Sequence, residues 1–404
     1  MSDFEVYDPQ LYLEGVPWDT FKKMRAEAPV YFHAQPGGRG FWAVTKHADL
    51  VQISRDPGTF SSHRGATFIK DHPEDDLTAM QTMMVNMDPP SHVKLRNMVK
   101  HAFAPATLVT LEPKIRRCVR EIIDNVAHKG ECDFVSEIAA QLPLMVIAEM
   151  IGVPPEDRDR VFDWSNNMVG FDDPEVQTNK EEGSASAMMM WQYAGELGQA
   201  RFDKPGDDIV SMLMKGVTDG GLSAMEFASF FMLLFVAGNE TTRNLISGGM
   251  LALIKHPEER ARLMAKPELL PTAVEEMLRW VSPLIYFRRT ATKDVELRGQ
   301  KIKENDKVAI WYPSANRDED VFAEPEKFDV GRTPNNHVAF GIGQHFCLGA
   351  NLARLEIKIM FEELIRRMPD IQLDGPVRRL RSNFLNSIKS MPVRYTAERA
   401  RVAL

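Results

Sequence analysis

Cys347 sits in the stretch "FGIGQHFCLG", a glycine-punctuated segment that runs directly into the helical pattern "LGANLARLEI". Three fates are open to such a thiol: inert burial, nucleophilic attack, or ligation of a metal. Gly341 and Gly343 let the backbone bend tightly or approach a flat ligand, and Gly349 leaves space just past the cysteine. The free N–H groups opening the next helix add a positive end that favours a thiolate. A second stretch, "AGNETT", runs from Ala237 to Thr242 in the middle of an apolar helical pattern. Gly238 costs about 1 kcal/mol relative to alanine there, and Glu240 is expensive to bury without a partner. One reading is a helix kink with a solvated acid. The other is a groove where a ligand lies against the backbone, with a threonine hydroxyl and the carboxyl beside it forming a proton-delivery pair.

Two further stretches carry charge at helical spacing. In "EEMLR", Glu276 and Arg279 stand three apart and can touch, which alone reads as an exposed ion pair. In "DPPSHVKLR", two prolines precede a helix on which His92 and Arg96 share a face. They suit an anion such as a carboxylate, or simply a basic surface. No Cys, His or Asp cluster with metal-ligand spacing stands beside Cys347, so a lone thiolate ligand requires a metal already held by something else. A macrocycle such as haem meets that requirement.

The elements that must position these residues are mostly helices. "PATLVTLEPKIRRCVREIIDNVAHKG", "DFVSEIAAQLPLMVIAEMIG", "LLPTAVEEMLRWV" and the segment after Cys347 all place apolar residues three and four apart. The segment from Ser223 to His256 would be a helix of roughly 50 Å, long enough to cross a domain. Short alternating runs in "GFWAVTKHADL" and "YFRRTATKDVELRGQKIKENDKVAIWYP" predict small sheets. No repeat or linker divides residues 1–404, so one mainly helical domain with small β-sheets is expected. The chain is 44% hydrophobic and 26% charged, with a net charge of -8 that argues against nucleic-acid binding through a strongly basic surface. The N-terminal "MSDFEVYDPQ" lacks secretory character. The longest apolar run, "FASFFMLLFVAG", has 12 residues against the about 20 a membrane span needs. Cys118, Cys132 and Cys347 form no paired spacing, which fits a reducing cytoplasm.

Together, in this order along the chain, these stretches resemble the cytochrome P450 superfamily of haem-thiolate monooxygenases. "FGIGQHFCLG" is similar to the family's cysteine-ligand signature, "EEMLR" to its Glu-x-x-Arg motif and "AGNETT" to its oxygen-activation motif, and the likeness runs from "GFWAVTKHADL" to "SMPVRY". The resemblance implies the P450 fold, with haem b between the long central helix and the cysteine-loop helix. It makes Cys347 the axial thiolate and Phe340 the aromatic residue beside it, with Gly349 next to the cofactor. Glu276 and Arg279 become a structural salt bridge. His92, Arg96, Arg289 in "FRRTA" and His345 become donors to the haem propionates. Ala237 and Gly238 would line the oxygen pocket, and Glu240 and Thr241 would be the acid-alcohol pair.

The implied activity uses O2 and two electrons to hydroxylate a hydrophobic small molecule. No flavin or iron-sulfur module is visible, so a ferredoxin and its reductase are the expected electron donors, with Lys94, Lys100 and Arg354 on a docking face. The family layout puts substrate beneath "RGATFIKDHPEDDLTAMQTMMVNM" and "RVFDWSNNMVGFDDPEVQTNKEEGSASAMMMWQYAG". Phe68, Met84, Leu233, Val236, Ile285, Phe384 and Leu385 match pocket-lining positions. "VAGNETTRN" with "RSNFLNSIKSMPV" is similar to the bacterial branch acting on sterol side chains, methyl-branched lipids and terpenoids. Oxidation of an aromatic or fatty-acid substrate is the alternative. A haem-thiolate sensor or electron-transfer protein, which needs no acid-alcohol pair, and an isomerase or dehydratase, which needs no electrons, are further alternatives.

Overall fold

The helix from Ala224 to Lys255 is the axis of the protein, about 48 Å long. Its start is fixed by a reciprocal cap: the Glu226 N–H donates to the Ser223 hydroxyl at 3.1 Å, and the Ser223 N–H donates to the Glu226 carboxylate at 2.8 Å. Phe227, Phe230, Phe231, Phe235, Leu245 and Ile246 are buried around its circumference, as expected for a helix enclosed by others. It packs against the helices Gln141–Ile151, Leu270–Val281, Lys180–Asp203 and Ala350–Arg367. The helix continues unbroken through Gly238, so the glycine there makes no kink.

A computed structural model describes residues 4–35, 38–168, 173–175, 180–219 and 221–398. Beside the helical body lies a five-stranded sheet in the order Val30–His33, Phe41–Val44, Lys307–Trp311, Tyr286–Ala291, Phe60–Ser61. Its third strand, "KVAIW", is buried throughout, which its β-branched and aromatic residues tolerate on both faces. One side of the sheet packs a cluster around Phe21, Phe41 and Trp311. Arg289 pairs with Val308 and Phe287 with Ile310, so this register decides which side chains of "YFRRTA" face which side. The part of the expected substrate cover at residues 169–172 and 176–179 lies outside the described residues.

Candidate functional site

The cysteine loop is shaped by glycines that no other residue could replace cheaply. Gly341 and Gly343 have φ of +68° and +76°, in the left-handed region. A Cβ on Gly343 would also lie 2.5 Å from the Ser54 carbonyl oxygen, so this glycine serves a backbone contact within the protein and not only access for a ligand. Nothing lies within 4 Å of a Cβ built on Gly349, the open position expected past the cysteine. The Cys347 N–H donates to the Phe340 carbonyl at 2.9 Å, closing the loop, and the helix begins at Ala350. Burial pushes the Cys347 thiol up, while the Gly349 N–H and the Arg96 and Arg354 guanidiniums pull it down. The helix start alone therefore does not outweigh desolvation. A sulfur in this setting ionises when a cation is bound against it, which is the chemistry of a metal ligand.

Four nitrogen-bearing side chains gather nearby. The His92 and His345 rings lie 4.2 Å apart, and His345 Nε2 is 3.3 Å from the Ser62 hydroxyl. Burial first and the Arg96 charge second lower His92 to about 4. Burial, then Arg289, His92 and Arg96, lowers His345 to about 2. Arg289 is 4% exposed and, among the described residues, its guanidinium donates only to the Arg288 carbonyl, at 2.9 Å. Neither Arg96 nor Arg289 has an ion-pair partner among the described residues, and His92 Nδ1 is buried without a hydrogen bond. Buried cations without counter-charge are costly. The donor set fits a group that brings two carboxylates to this spot, and with the Cys347 sulfur it fits a haem. Tyr312, not anticipated from sequence, joins this cluster: burial pushes its phenol up to about 12 against the pull of Arg289.

On the central helix, Leu233, Val236, Gly238 and Thr241 are half-buried and Ala237 is exposed, although the residues around them are buried. A partly open lane therefore runs along one side of the enclosed helix. The Thr241 hydroxyl donates to the Ala237 carbonyl at 2.7 Å, parked one turn back on its own helix. Glu240 is 3% exposed and paired with Arg243, a partner one turn further on that was legible in "ETTR" and overlooked. Burial raises the Glu240 carboxyl, and Arg243 opposes the shift.

Glu276 and Arg279 are fully buried, unlike an exposed surface pair. Two parallel bonds of 2.8 Å join them, and Arg279 also donates to the carbonyls of Asn316, Pro325 and Lys327. Glu276 in turn accepts from the Asp329 N–H, Arg332 and Asn335. The pair thus pins the segment leading to the cysteine loop.

Of the expected pocket residues, the Phe68 and Phe384 rings lie 4.6 Å apart at a tilt of 44°, and Leu233 and Val236 lie on the open lane. Met84 is 7% exposed in the main core, and Leu385 bridges to Leu284. Ile285 is fully buried in the cluster of Phe21, Phe41 and Trp311, against which Phe384 also packs. The strand begins only at Tyr286, so Ile285 lies outside its alternation; Tyr286 joins the same cluster, while the half-buried Leu284 and Phe287 pack with Val308 and Ile310 on the opposite side. Arg354 is a correction. It grips Glu275 through bonds of 2.7 and 2.8 Å and stacks 4.6 Å over Phe340, so it is not a free docking charge.

The family model for cytochrome P450 matches residues 185–369. A steroid C26-monooxygenase of Rhodococcus jostii is 42% identical over 97% of this chain and 84% of its own length. A methyl-branched lipid omega-hydroxylase of Mycobacterium tuberculosis is 44% identical over 93% of this chain and 90% of its own. The structure of a Mycobacterium marinum cytochrome P450 in complex with pseudoionone superposes with a TM-score of 0.91 at 38% identity, covering 97% of this chain and 98% of that one. The chain belongs to the cytochrome P450 family, which implies haem held by a thiolate. Within that family it is a monooxygenase that hydroxylates a hydrophobic substrate.

Proposed function

We propose that this P450 hydroxylates a terminal or near-terminal methyl carbon of a steroid side chain or a methyl-branched lipid. The observation that carries the reading is the apolar character of the residues read as pocket wall: Leu233 and Val236 on the partly open side of the helix, with Phe68, Phe287 and Phe384, of which Phe384 lies 4.6 Å from Phe68 and 6.0 Å from Phe287. Such a wall takes a slender hydrocarbon end and offers it few polar contacts. The names of the two similar hydroxylases point the same way.

In this reading one domain, residues 1–404, would bind haem b through the Cys347 sulfur, and His92, Arg96, Arg289 and His345 would hold its carboxylates. That group supplies the oxidising chemistry when bound. The chain's own residues do the rest. Glu240 is the proton reservoir, and the Thr241 hydroxyl turns from Ala237 to pass protons to the oxygen pocket. The lane's apolar walls keep bulk water away.

The protein is cytoplasmic in this reading, and no helix among the described residues is long and apolar enough to cross a membrane. Electrons come from a ferredoxin reduced by its reductase. Lys94 and Lys100 are exposed on the helix Ser91–Val99 and the turn after it, with Val93 and Phe346 as exposed apolar neighbours. Neutralising Lys94 and Lys100 should slow electron transfer from a ferredoxin and flatten its salt dependence. An unaltered salt dependence would remove this face as the docking site.

The substrate test is a panel of a steroid with an intact side chain, a methyl-branched fatty acid, an acyclic isoprenoid and a straight-chain fatty acid. The ferric spin state is read on binding, and products are identified by mass spectrometry. The branched or steroidal members should bind most tightly and be oxidised at the chain end. Preference for the straight-chain acid, or attack on the ring system, would overturn the assignment. Product formed without reductant would instead indicate an isomerase or dehydratase.

A further inference from the structure

Arg243 touches more than the carboxylate one turn before it. The guanidinium nitrogen paired with Glu240 also donates to the Ser387 hydroxyl at 3.4 Å, and Ser387 donates to Asn244 at 2.7 Å. Ser387 follows Phe384 and Leu385, both read above as pocket wall. Phe384 lies 4.6 Å from Phe68 at a tilt of 44°, its carbonyl accepts from the Ile285 N–H at 2.8 Å, and Leu385 bridges to Leu284. One arginine thus joins the central helix to the segment Ser382–Ile388.

The joint is built to be adjustable. Its Ser387 contact is long for a hydrogen bond, Arg243 Nε and Asn244 Nδ2 are buried without partners among the described residues, and the Arg243 side chain keeps 18% of its surface open. The Glu276–Arg279 hub is tighter: Arg279 donates to two carboxylate oxygens and three backbone carbonyls, whereas Arg243 Nε, like the Nε of Arg288 and Arg317, has no partner among the described residues. Among the described residues Arg243 is the charged group acting on Glu240, so whatever moves Arg243 changes the hold on that carboxyl.

We propose that Arg243 is a positioning residue that holds the Glu240 carboxylate and, through Ser387, links it to the substrate-facing segment Ser382–Ile388, so that a seated substrate resets the proton reservoir. This rests on the reading of Glu240 as that reservoir and of the segment as pocket wall. A substrate pressing on Phe384 and Leu385 shifts Ser387, Arg243 follows, and the carboxyl is gripped more or less tightly. The protein thereby readies its proton supply only when there is something to oxidise.

The test follows the Glu240 carboxyl directly. In the holoenzyme, its protonated infrared band is identified by loss in Glu240→Gln and titrated with and without the panel compound giving the largest spin shift. In the unsubstituted protein the midpoint should move on substrate binding. Arg243→Gln removes the opposing positive charge, so its midpoint should rise by at least about one pH unit, a tenfold change in proton affinity, and should no longer respond to substrate. Arg243→Lys should restore much of the midpoint. Ser387→Ala should keep the substrate-free midpoint and lose the response, and it decides the matter even where Arg243→Gln fails to fold. A Ser387→Ala protein with the full response, or an Arg243→Gln protein titrating as the parent does, would overturn the linkage. A Glu240→Gln enzyme with unchanged product per electron pair would overturn the reservoir reading alone, leaving the infrared result to judge Arg243.

Discussion

Thr241 shows how little a side chain must move to change its task. Its hydroxyl bonds the Ala237 carbonyl, and a single χ1 rotation releases it toward the lane. Thr241→Ala should leave substrate affinity within about twofold, while product formed per electron pair consumed falls at least about tenfold and peroxide accounts for the difference. Intact coupling in the variant would exclude the hydroxyl from proton transfer. At this scale much was legible: an acid, an alcohol and a framed cysteine are residue types with few bland explanations in combination. What was not legible was partnership. Nothing in "EEMLR" says that three backbone carbonyls and a second arginine converge on that pair, because those groups come from residues 316–335.

Among elements, the central helix was readable because its apolar residues and its Ser223–Glu226 cap are local signals. The faces taken by the residues of Tyr286–Ala291 were not, since a shift of one residue inverts inside and outside, and only pairing with Lys307–Trp311 fixes them. Arg354 misled for a similar reason, its acid lying 79 residues away on another helix. The element-level prediction concerns the helix Leu270–Val281. Arg279→Ala strips a buried carboxylate of its main partner and three carbonyls of their donor, and should cost about 3–5 kcal/mol in denaturant unfolding. A loss below about 1 kcal/mol would show that Arg332 suffices for Glu276. In the helix Ala350–Arg367, Glu356 is buried with no hydrogen bond or ion pair among the described residues, and burial raises it to about 8 from the ordinary 4.5. Protonated in the folded chain but ionised in the unfolded one, it favours folding most below pH 4.5, and that contribution is lost as pH rises toward about 8. The loss is on the order of 1.4 kcal/mol per pH unit across that window. Glu356→Gln should flatten the pH–stability curve there, and parallel curves for the two proteins would refute the assignment.

For the molecule as a whole, the half-open lane on an otherwise enclosed helix separates two kinds of inheritance. Leu233, Val236 and Ala237 lie on the partly open side, whereas Phe230, Phe231 and Phe235 are buried in the core. Exchange of a lane residue for another apolar one alters which hydrocarbon fits, by about 1–3 kcal/mol per methylene, and leaves core packing untouched. Truncating a core phenylalanine a quarter-turn away costs about 3–5 kcal/mol of folding. A saturation scan of residues 230–241, scored separately for folded holoprotein and for product profile, should split along that line, and a scan in which both scores fall together at every position would contradict it. The same helix can therefore be a fixed strut for the fold and a freely revisable one for diet, so that descendants of this chain can change what they consume without first becoming less stable proteins.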